Sequence, residues 1–191
     1  AFKHIMTRFC HSYLKMFIVG SFFAMTSLYA SAQNRSFDFT TGDTVTLTNA
    51  GSALSNRTTF TLEFWAKFTN VSGTINLVDF TGGADAGGLI FNSSKLTVDL
   101  ECDFGCLTES NVLSLSTGTW YHIAVVFDNG TWDFYVDGVA QGINVLDQGA
   151  RSSVPNYTGF GVTNLVFGLQ NHGAVDDFVG SIDDIRMWSS A

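Results

Sequence analysis

Short apolar runs, separated by clusters of turn-forming residues, follow one another from Ser36 to the end of the chain. Runs rich in Val, Ile, Thr and Phe are interrupted roughly every 8 to 12 residues by Gly, Asn or Asp, a spacing typical of antiparallel strands. No run keeps the apolar period of a long amphipathic helix. The dipeptides Asn129-Gly130 and Asp137-Gly138 are typical of tight hairpin turns. The pattern predicts an all-β fold, a two-sheet antiparallel jelly-roll sandwich of about ten to thirteen strands.

Alternation along two predicted strands separates core positions from outward ones. In "TLEFWAKF" one face carries Leu62, Phe64, Ala66 and Phe68, and the other carries Glu63, Trp65 and Lys67. In "WYHIAVVF" both faces are largely apolar, which predicts a strand in the middle of a sheet, covered on both sides. We therefore expect His122 to be packed and hydrogen-bonded rather than a metal ligand or base, because no acidic residue is adjacent to it in sequence.

The first 32 residues have a different composition. Basic residues precede the apolar run "MFIVGSFFAMTSLYASA", which ends at Ala30-Ser31-Ala32. This arrangement is typical of a secretory signal peptide, so residues 1–32 are predicted to be removed and the mature chain to begin at Gln33. The alternative is a retained membrane anchor, since the run is only slightly shorter than the roughly 20 residues of a spanning helix.

Charge narrows the range of partners. Removing residues 1–32 takes away Lys3, Arg8 and Lys15 and no acidic residue, so 6 Lys and Arg remain against 17 Asp and Glu, a net charge of −11. Such a surface repels phosphate backbones and anionic lipids, so we expect no nucleic-acid partner and no membrane insertion after signal cleavage. Residues 33–191 are long enough for one domain with its own core, at a secreted or cell-surface location.

Two cysteines remain in the predicted mature chain. Cys102 and Cys106 flank Asp103-Phe104-Gly105, a short turn that could bring them within bonding range across a tight hairpin. Because exported proteins meet an oxidising compartment, we expect a disulfide between them, with free thiols as the alternative. The pair is a poor zinc site, since no His lies nearby.

Three segments of the chain resemble a known group of domains. In order, "FTLEFWAKF", "GTWYHIAVVFDNGTWDFYVDG" and "FVGSIDDIRMW" resemble the early core strand, the central hairpin and the closing strand of laminin-G-like and pentraxin-like domains. These domains belong to the concanavalin A-like lectin/glucanase superfamily. The resemblance covers roughly Ser36 to the end and implies a sandwich with a binding role. In such families the chain usually continues past the closing strand, so residues 33–191 are expected to be a domain truncated at its C-terminus within a larger extracellular protein.

The resemblance to pentraxins also implies a calcium site. Pentraxins build it from an acidic loop before one strand and from the loop before the closing strand. The positions of this chain that match the pattern are Asp85, Gln170, Asn171 and Asp176. Calcium takes about six to eight oxygen ligands, and Ala86 and His172 replace two that the family uses. A single weakly bound ion is therefore expected, with a solvated loop and no ion as the alternative.

Two further aspartates, Asp183 and Asp184 in "SIDDIRMW", are expected to be structural. Adjacent side chains of a regular strand point to opposite faces, so the pair cannot chelate one ion. Asp184 is predicted to pair with Arg186, two positions along, and Asp183 to accept backbone hydrogen bonds.

Catalysis is not expected. Related sandwiches that hydrolyse glycans carry E-x-D-x-x-E on one strand, and the nearest match, "ECDFGC", has Cys106 in place of the second glutamate. Glu63 and Glu109 lie in other segments, so the two carboxylates that hydrolysis needs are not spaced for it. A divergent glycoside hydrolase is the least favoured alternative.

Aromatic side chains on outward faces or loops could bind sugars, whose C–H faces stack on rings. The candidates are Trp65, Trp132, Tyr135 and Tyr157, although neighbouring strands could cover Trp65 and Trp132. We expect a secreted, non-catalytic module that recognises an extracellular glycan or protein and is calcium-dependent if the ion binds. The alternative is a structural spacer domain of an adhesin.

Overall fold

The computed structural model describes residues 36–50, 57–81, 87–100, 106–129, 131–147, 163–168 and 176–191. Among these residues no helix is long and apolar enough to cross a membrane. The predicted signal peptide lies outside them. The strands are β1 (Phe37–Phe39), β2 (Val45–Leu47), β3 (Thr59–Phe68), β4 (Thr74–Thr81), β5 (Gly87–Asn92), β6 (Lys95–Leu100), β7 (Cys106–Ser110), β8 (Trp120–Asp128), β9 (Thr131–Val136), β10 (Val139–Gln141), β11 (Ile143–Asp147), β12 (Asn164–Phe167), β13 (Asp176–Asp177) and β14 (Gly180–Trp188).

These strands form two sheets. The six-stranded sheet has the order β1-β14-β3-β8-β9-β10. The eight-stranded sheet has the order β11-β7-β6-β5-β4-β12-β2, with β13 pairing to β4. The described pairs are antiparallel except for β13 and β4, which run parallel. The predicted all-β, two-sheet antiparallel jelly roll is confirmed.

Phenylalanine side chains join the two sheets across the core. Phe64 of β3 meets Phe167 of β12 with ring centroids 5.5 Å apart and planes at 87°. Phe68 of β3 meets Phe91 of β5, also at 5.5 Å. Tilted and edge-to-face arrangements of this kind are preferred by aromatic pairs over face-to-face stacking. The inward positions of β3 that alternation predicted are all buried, namely Leu62, Phe64, Ala66 and Phe68.

Both predicted hairpin turns are present. Asp128 pairs with Thr131, and Val136 pairs with Val139, so each turn has two residues. Asp137 and Gly138 have φ values of 50° and 74°, the left-handed backbone that a type I′ turn requires at both positions.

Strands β6 and β7 pair on either side of the cysteine segment, with Leu100 opposite Cys106. Cys102 lies outside the described residues. The disulfide therefore stays a prediction.

A β-bulge in β14 contradicts the assumption that "SIDDIRMW" is a regular strand. Ile182 pairs with Ala66 and Met187 pairs with Leu62, so β14 advances five positions where β3 advances four. Asp184, inside this interval, has a left-handed φ of 51°. The extra residue shifts the alternation of the strand. Ile182 and Met187 consequently both pack against the core, although strict alternation would place them on opposite faces.

Candidate functional site

The six-stranded sheet turns one face to the core and the other outward. Glu63, Trp65 and Lys67 of β3 lie on the outward side, as alternation predicted, because their neighbours in sequence are buried. The adjacent strand β8 contributes His122 to this side, and β14 contributes Arg186 and Trp188. We call the outward side of the six-stranded sheet the aromatic face.

Glu63 lies at the centre of a polar cluster on this face. Trp188 donates a hydrogen bond from Nε1 to Glu63 Oε1 at 3.1 Å. Arg186 Nη1 lies 3.6 Å from the same oxygen, and His122 Nε2 lies 3.5 Å from Oε2. We call these four residues the Glu63 cluster. Both oxygens of the Glu63 carboxylate therefore have positively polarised partners.

Strand register brings the cluster together. Arg186 pairs directly with Glu63 across β14 and β3, and His122 pairs with Trp65 across β8 and β3. Side chains on one face of paired strands have Cβ atoms about 4.5 to 5.5 Å apart, close enough for contact. The three strands belong to the three segments that carry the family resemblance. The cluster thus forms where these segments meet.

The bulge of β14 positions Arg186. Arg186 donates a hydrogen bond from Nη2 to Asp184 Oδ2, which confirms the predicted pair. Asp183 Oδ1 accepts a hydrogen bond from the backbone N–H of Asp184 at 2.8 Å, which confirms its predicted backbone role. Arg186 is therefore held between two carboxylates, those of Asp184 and Glu63.

Two tryptophans on the aromatic face are open to solvent. Trp65 is 39% exposed and Trp188 is 51% exposed. The ring of Trp65 lies 5.3 Å from the ring of His122, and Trp188 is held by its bond to Glu63. Tyr135 lies on the same face, opposite Ala124, and is partly exposed. Aromatic rings with fixed orientation can contact the C–H faces of sugars at little cost in side-chain entropy.

The prediction that Trp132 offers a ligand platform is wrong. Trp132 is only 7% exposed, and its ring packs 5.6 Å from Phe60 and 4.8 Å from Phe127. Trp132 lies on the same side of β9 as Phe134, which is buried, and on the opposite side from Tyr135. The inward side of β9 faces the core, so Trp132 contributes to stability.

His122 also differs from its expected surroundings. The outward side of β8 is only partly covered, because His122 and Val126 both retain some exposure. Its acidic neighbour, Glu63, comes from the next strand and was not visible from residues adjacent in sequence. The ring of His122 packs against Trp65, as the predicted structural role requires.

Three of the four predicted calcium ligands, Asp85, Gln170 and Asn171, lie outside the described residues. The aromatic candidate Tyr157 also lies outside them. Asp176 begins β13, where it pairs with Ile75 of β4. Its neighbour Asp177 accepts a hydrogen bond from the backbone N–H of Gly42 at 2.9 Å. The described residues contain no group of three or more His, Cys, Asp or Glu arranged for a metal ion.

Strand register constrains the predicted calcium site. Gly87, two residues after Asp85, pairs with Phe80, whereas Asp176 pairs with Ile75. These positions of β4 are roughly 16 Å apart along the strand, at about 3.3 Å per residue. A single ion bound by both aspartates would need the loops to cover this separation, so the shared site stays a prediction.

The outward side of the eight-stranded sheet carries several buried polar residues. Asp79, Thr97 and Glu109 are all buried there. Glu109 forms an ion pair with Lys95 at 2.5 Å. The hydroxyl of Thr97 is buried without a hydrogen-bond partner among the described residues. Within the part of the chain that the structure describes, large exposed rings beside polar groups lie on the aromatic face and not on the outward side of the eight-stranded sheet.

Sequence reasoning missed Glu63, His122, Arg186 and Trp188 as a group. Alternation placed Glu63 outward, but its partners come from strands far away in sequence. The signal that could have found them is the polar outward position shared by all three resembling segments.

A family model described as the concanavalin A-like lectin/glucanases superfamily, of the laminin G type, matches residues 39–191. The chain belongs to this superfamily. A comparison of this laminin-G-type domain with curated proteins found no match.

Several solved structures share the fold of this laminin-G-type domain. The CBM40 of the Ruminococcus gnavus IT-sialidase, bound to α2,3-sialyllactose, has a TM-score of 0.63 and 16% identity over 82% of this chain and 90% of that one. Domain 4 of AbnA, an extracellular arabinanase of Geobacillus stearothermophilus in complex with arabinotriose, has a TM-score of 0.51 and 18% identity over 82% and 75%. Domains LG4-5 of the mouse laminin α1 chain have a TM-score of 0.57 and 14% identity over 82% and 41%. At these identities the similarity establishes the fold alone.

Proposed function

We propose that this laminin-G-type domain is a secreted, non-catalytic module that binds glycans on its aromatic face. The observation that carries the proposal is the exposure of Trp65 and Trp188 on either side of Glu63. Rings of this kind bind the apolar faces of sugars, while the polar cluster offers hydrogen-bond partners for their hydroxyl groups. Membership of a superfamily that includes lectins supports the proposal.

Two similar structures were solved with oligosaccharides, sialyllactose in one and arabinotriose in the other. They support a glycan as the ligand class without identifying the sugar. The sequence of residues 1–32 supports export to the outside of the cell, where glycan ligands are found. A calcium ion between the Asp85 loop and the loop that precedes β14 is a second part of the proposal, supported by the resemblance to pentraxins.

Binding to a panel of soluble oligosaccharides, measured by calorimetry, tests the proposal. Trp65→Ala and Trp188→Ala should each weaken binding at least about tenfold, because an exposed ring that stacks on a ligand is a typical hot spot. Phe37→Ala is the matched control, since Phe37 is 50% exposed but lies outside the aromatic face, on the inward side of the edge strand β1, where it pairs with the buried Ile182.

Unchanged affinity in both tryptophan variants would show that glycans bind elsewhere on the domain. No binding to any glycan would favour the spacer-domain alternative.

A further inference from the structure

We propose that the aromatic face selects uncharged oligosaccharides long enough to contact both Trp65 and Trp188, and that it discriminates against anionic glycans. This inference rests on the proposed function and adds the ligand class and length. It distinguishes this domain from the CBM40 that was solved with a sialylated sugar.

The spacing of the two tryptophans sets the ligand length. Trp188 pairs with Thr61, four positions from Trp65 along β3, and Glu63 lies between them. Four positions separate the two backbone sites by roughly 13 Å along the strand, at about 3.3 Å per residue. This backbone separation exceeds the length of one sugar ring. We therefore expect a monosaccharide to contact one of the two tryptophans and a longer chain to contact both and cross Glu63.

The cations of the aromatic face are already engaged. A guanidinium group binds a ligand carboxylate best when its paired N–H groups are free to donate in parallel. Arg186 directs its two terminal nitrogens to Glu63 and Asp184. Lys67 Nζ lies 5.0 Å above the ring of Trp120. Among the described residues of this face, a ligand carboxylate would meet no cation that lacks a partner.

Acidic residues outnumber basic ones on the same face. Asp183 pairs with Trp65, and Asp133 pairs with Val126, whose neighbours Val125 and Phe127 point into the core. Both aspartates therefore lie on the outward side. Together with Glu63 and Asp184 they give this side of the sheet a surplus of negative charge, and an anionic ligand would meet like charge.

Neutral hydroxyl groups suit the Glu63 cluster better. A carboxylate can accept about four hydrogen bonds, and Glu63 accepts one from Trp188, while nitrogen atoms of Arg186 and His122 lie 3.6 and 3.5 Å from its oxygens. Sugar hydroxyl groups can donate to the remaining positions. Because Trp188 donates a hydrogen bond to Glu63, its ring is already positioned beside a ligand that bonds to Glu63.

A matched pair of probes tests the selection by charge. Lacto-N-neotetraose and its α2,3-sialylated form differ by one sialic acid, and cellohexaose and hexagalacturonate provide a second neutral and anionic comparison. For each pair whose neutral member binds, calorimetry should show that the neutral member binds at least about tenfold more tightly than its anionic partner. Affinity for the neutral ligand should increase from mono- to tetra- or hexasaccharide and should change little between low and high salt, because no ion pair forms.

A charge variant tests whether the pairing of Arg186 causes the discrimination against anionic glycans. Asp184→Asn removes one partner of Arg186 and should raise the affinity for the anionic probes about threefold, the size of a single exposed charge interaction. Asp133→Asn is the control, because it changes the net charge equally on a strand that does not contact Arg186. An equal gain in affinity for the anionic probes in both variants would mean that net charge alone sets this affinity. That result would overturn the role assigned to Arg186.

Tighter binding of the sialylated tetrasaccharide or hexagalacturonate than of the neutral probes would overturn the inference while leaving the proposed function in place. Equal affinity for monosaccharides and longer chains would overturn the predicted length. Absence of binding to every probe would overturn the proposed function, and the inference with it.

Discussion

Two buried hydroxyl groups on neighbouring strands of the eight-stranded sheet have opposite surroundings. Ser110 on β7 donates to the backbone oxygen of Asn111 at 2.8 Å and accepts from the backbone N–H of Leu96 at 3.0 Å. Thr97 on β6 is also buried, but no described residue forms a hydrogen bond with its hydroxyl. A buried polar group costs free energy unless it is hydrogen-bonded, so the two residues should contribute to stability with opposite sign.

Thr97→Val should raise the free energy of unfolding by about 1 kcal/mol, because the isosteric side chain keeps the volume and removes the unpaired hydroxyl. Ser110→Ala should lower it by about 1 kcal/mol, because two backbone groups lose a partner. Urea denaturation of both variants measures the difference. A destabilised Thr97→Val protein would show that the Thr97 hydroxyl is paired in solution.

At the scale of the single element, β14 depends on its bulge. One additional residue around Asp184 allows Ile182 and Met187 to reach the core while Arg186 and Trp188 remain on the aromatic face. The left-handed backbone of Asp184 makes this possible, and Asp tolerates that conformation better than most residues. The bulge therefore serves both the core and the Glu63 cluster.

Asp184→Val should lower the free energy of unfolding by about 1 to 2 kcal/mol more than Asp184→Gly does, because a β-branched residue is strained at positive φ and glycine is not. Both variants lose the pair with Arg186, so their difference isolates the backbone conformation. Thermal or chemical unfolding of the two proteins makes the comparison. Equal stability of the two variants would show that the bulge relaxes when Asp184 is replaced.

The whole molecule is acidic, with a net charge of −8 over the full chain. The two sheets differ in character, since one exposes Trp65 and Trp188 and the other buries the polar residues Asp79, Thr97 and Glu109. Acidic charge favours bound cations, and the resemblance to pentraxins implies where one would bind. An ion at the loops would act on the stability of the whole sandwich rather than on the aromatic face.

Calcium should therefore raise the melting temperature and EDTA should lower it. An ion that binds the folded state alone adds about 2.7 kcal/mol of stability at a hundredfold excess over its Kd. Asp85→Asn and Asp176→Asn should each abolish the response with little effect on stability without calcium, whereas Asp183→Asn should destabilise the fold with or without calcium. Scanning calorimetry of the three variants tests this.

Loss of the response in only one of the two loop variants would assign the ion to that loop and contradict the shared site. A wild-type protein with no calcium response would contradict the prediction altogether.

Local patterns in the sequence determined the strands, the two-residue hairpins and the inward face of β3. They could do so because alternation and turn chemistry act between residues that are near in sequence. The resemblance of three segments to laminin-G-like domains was carried by the same residues, and the family match over residues 39–191 confirms it.

Only the tertiary structure decided which side chains meet. Glu63 contacts His122 and Arg186 because β3 lies between β8 and β14, an order that depends on how all strands pack over one core. Trp132 is buried because the same packing covers one side of β9. Strict alternation would place Ile182 and Arg186 on the same face, and the bulge at Asp184 allows one to be buried and the other outward. This requirement arises only when β14 is paired with β3. Contacts between distant strands depend on register and order, which no single segment of the sequence specifies.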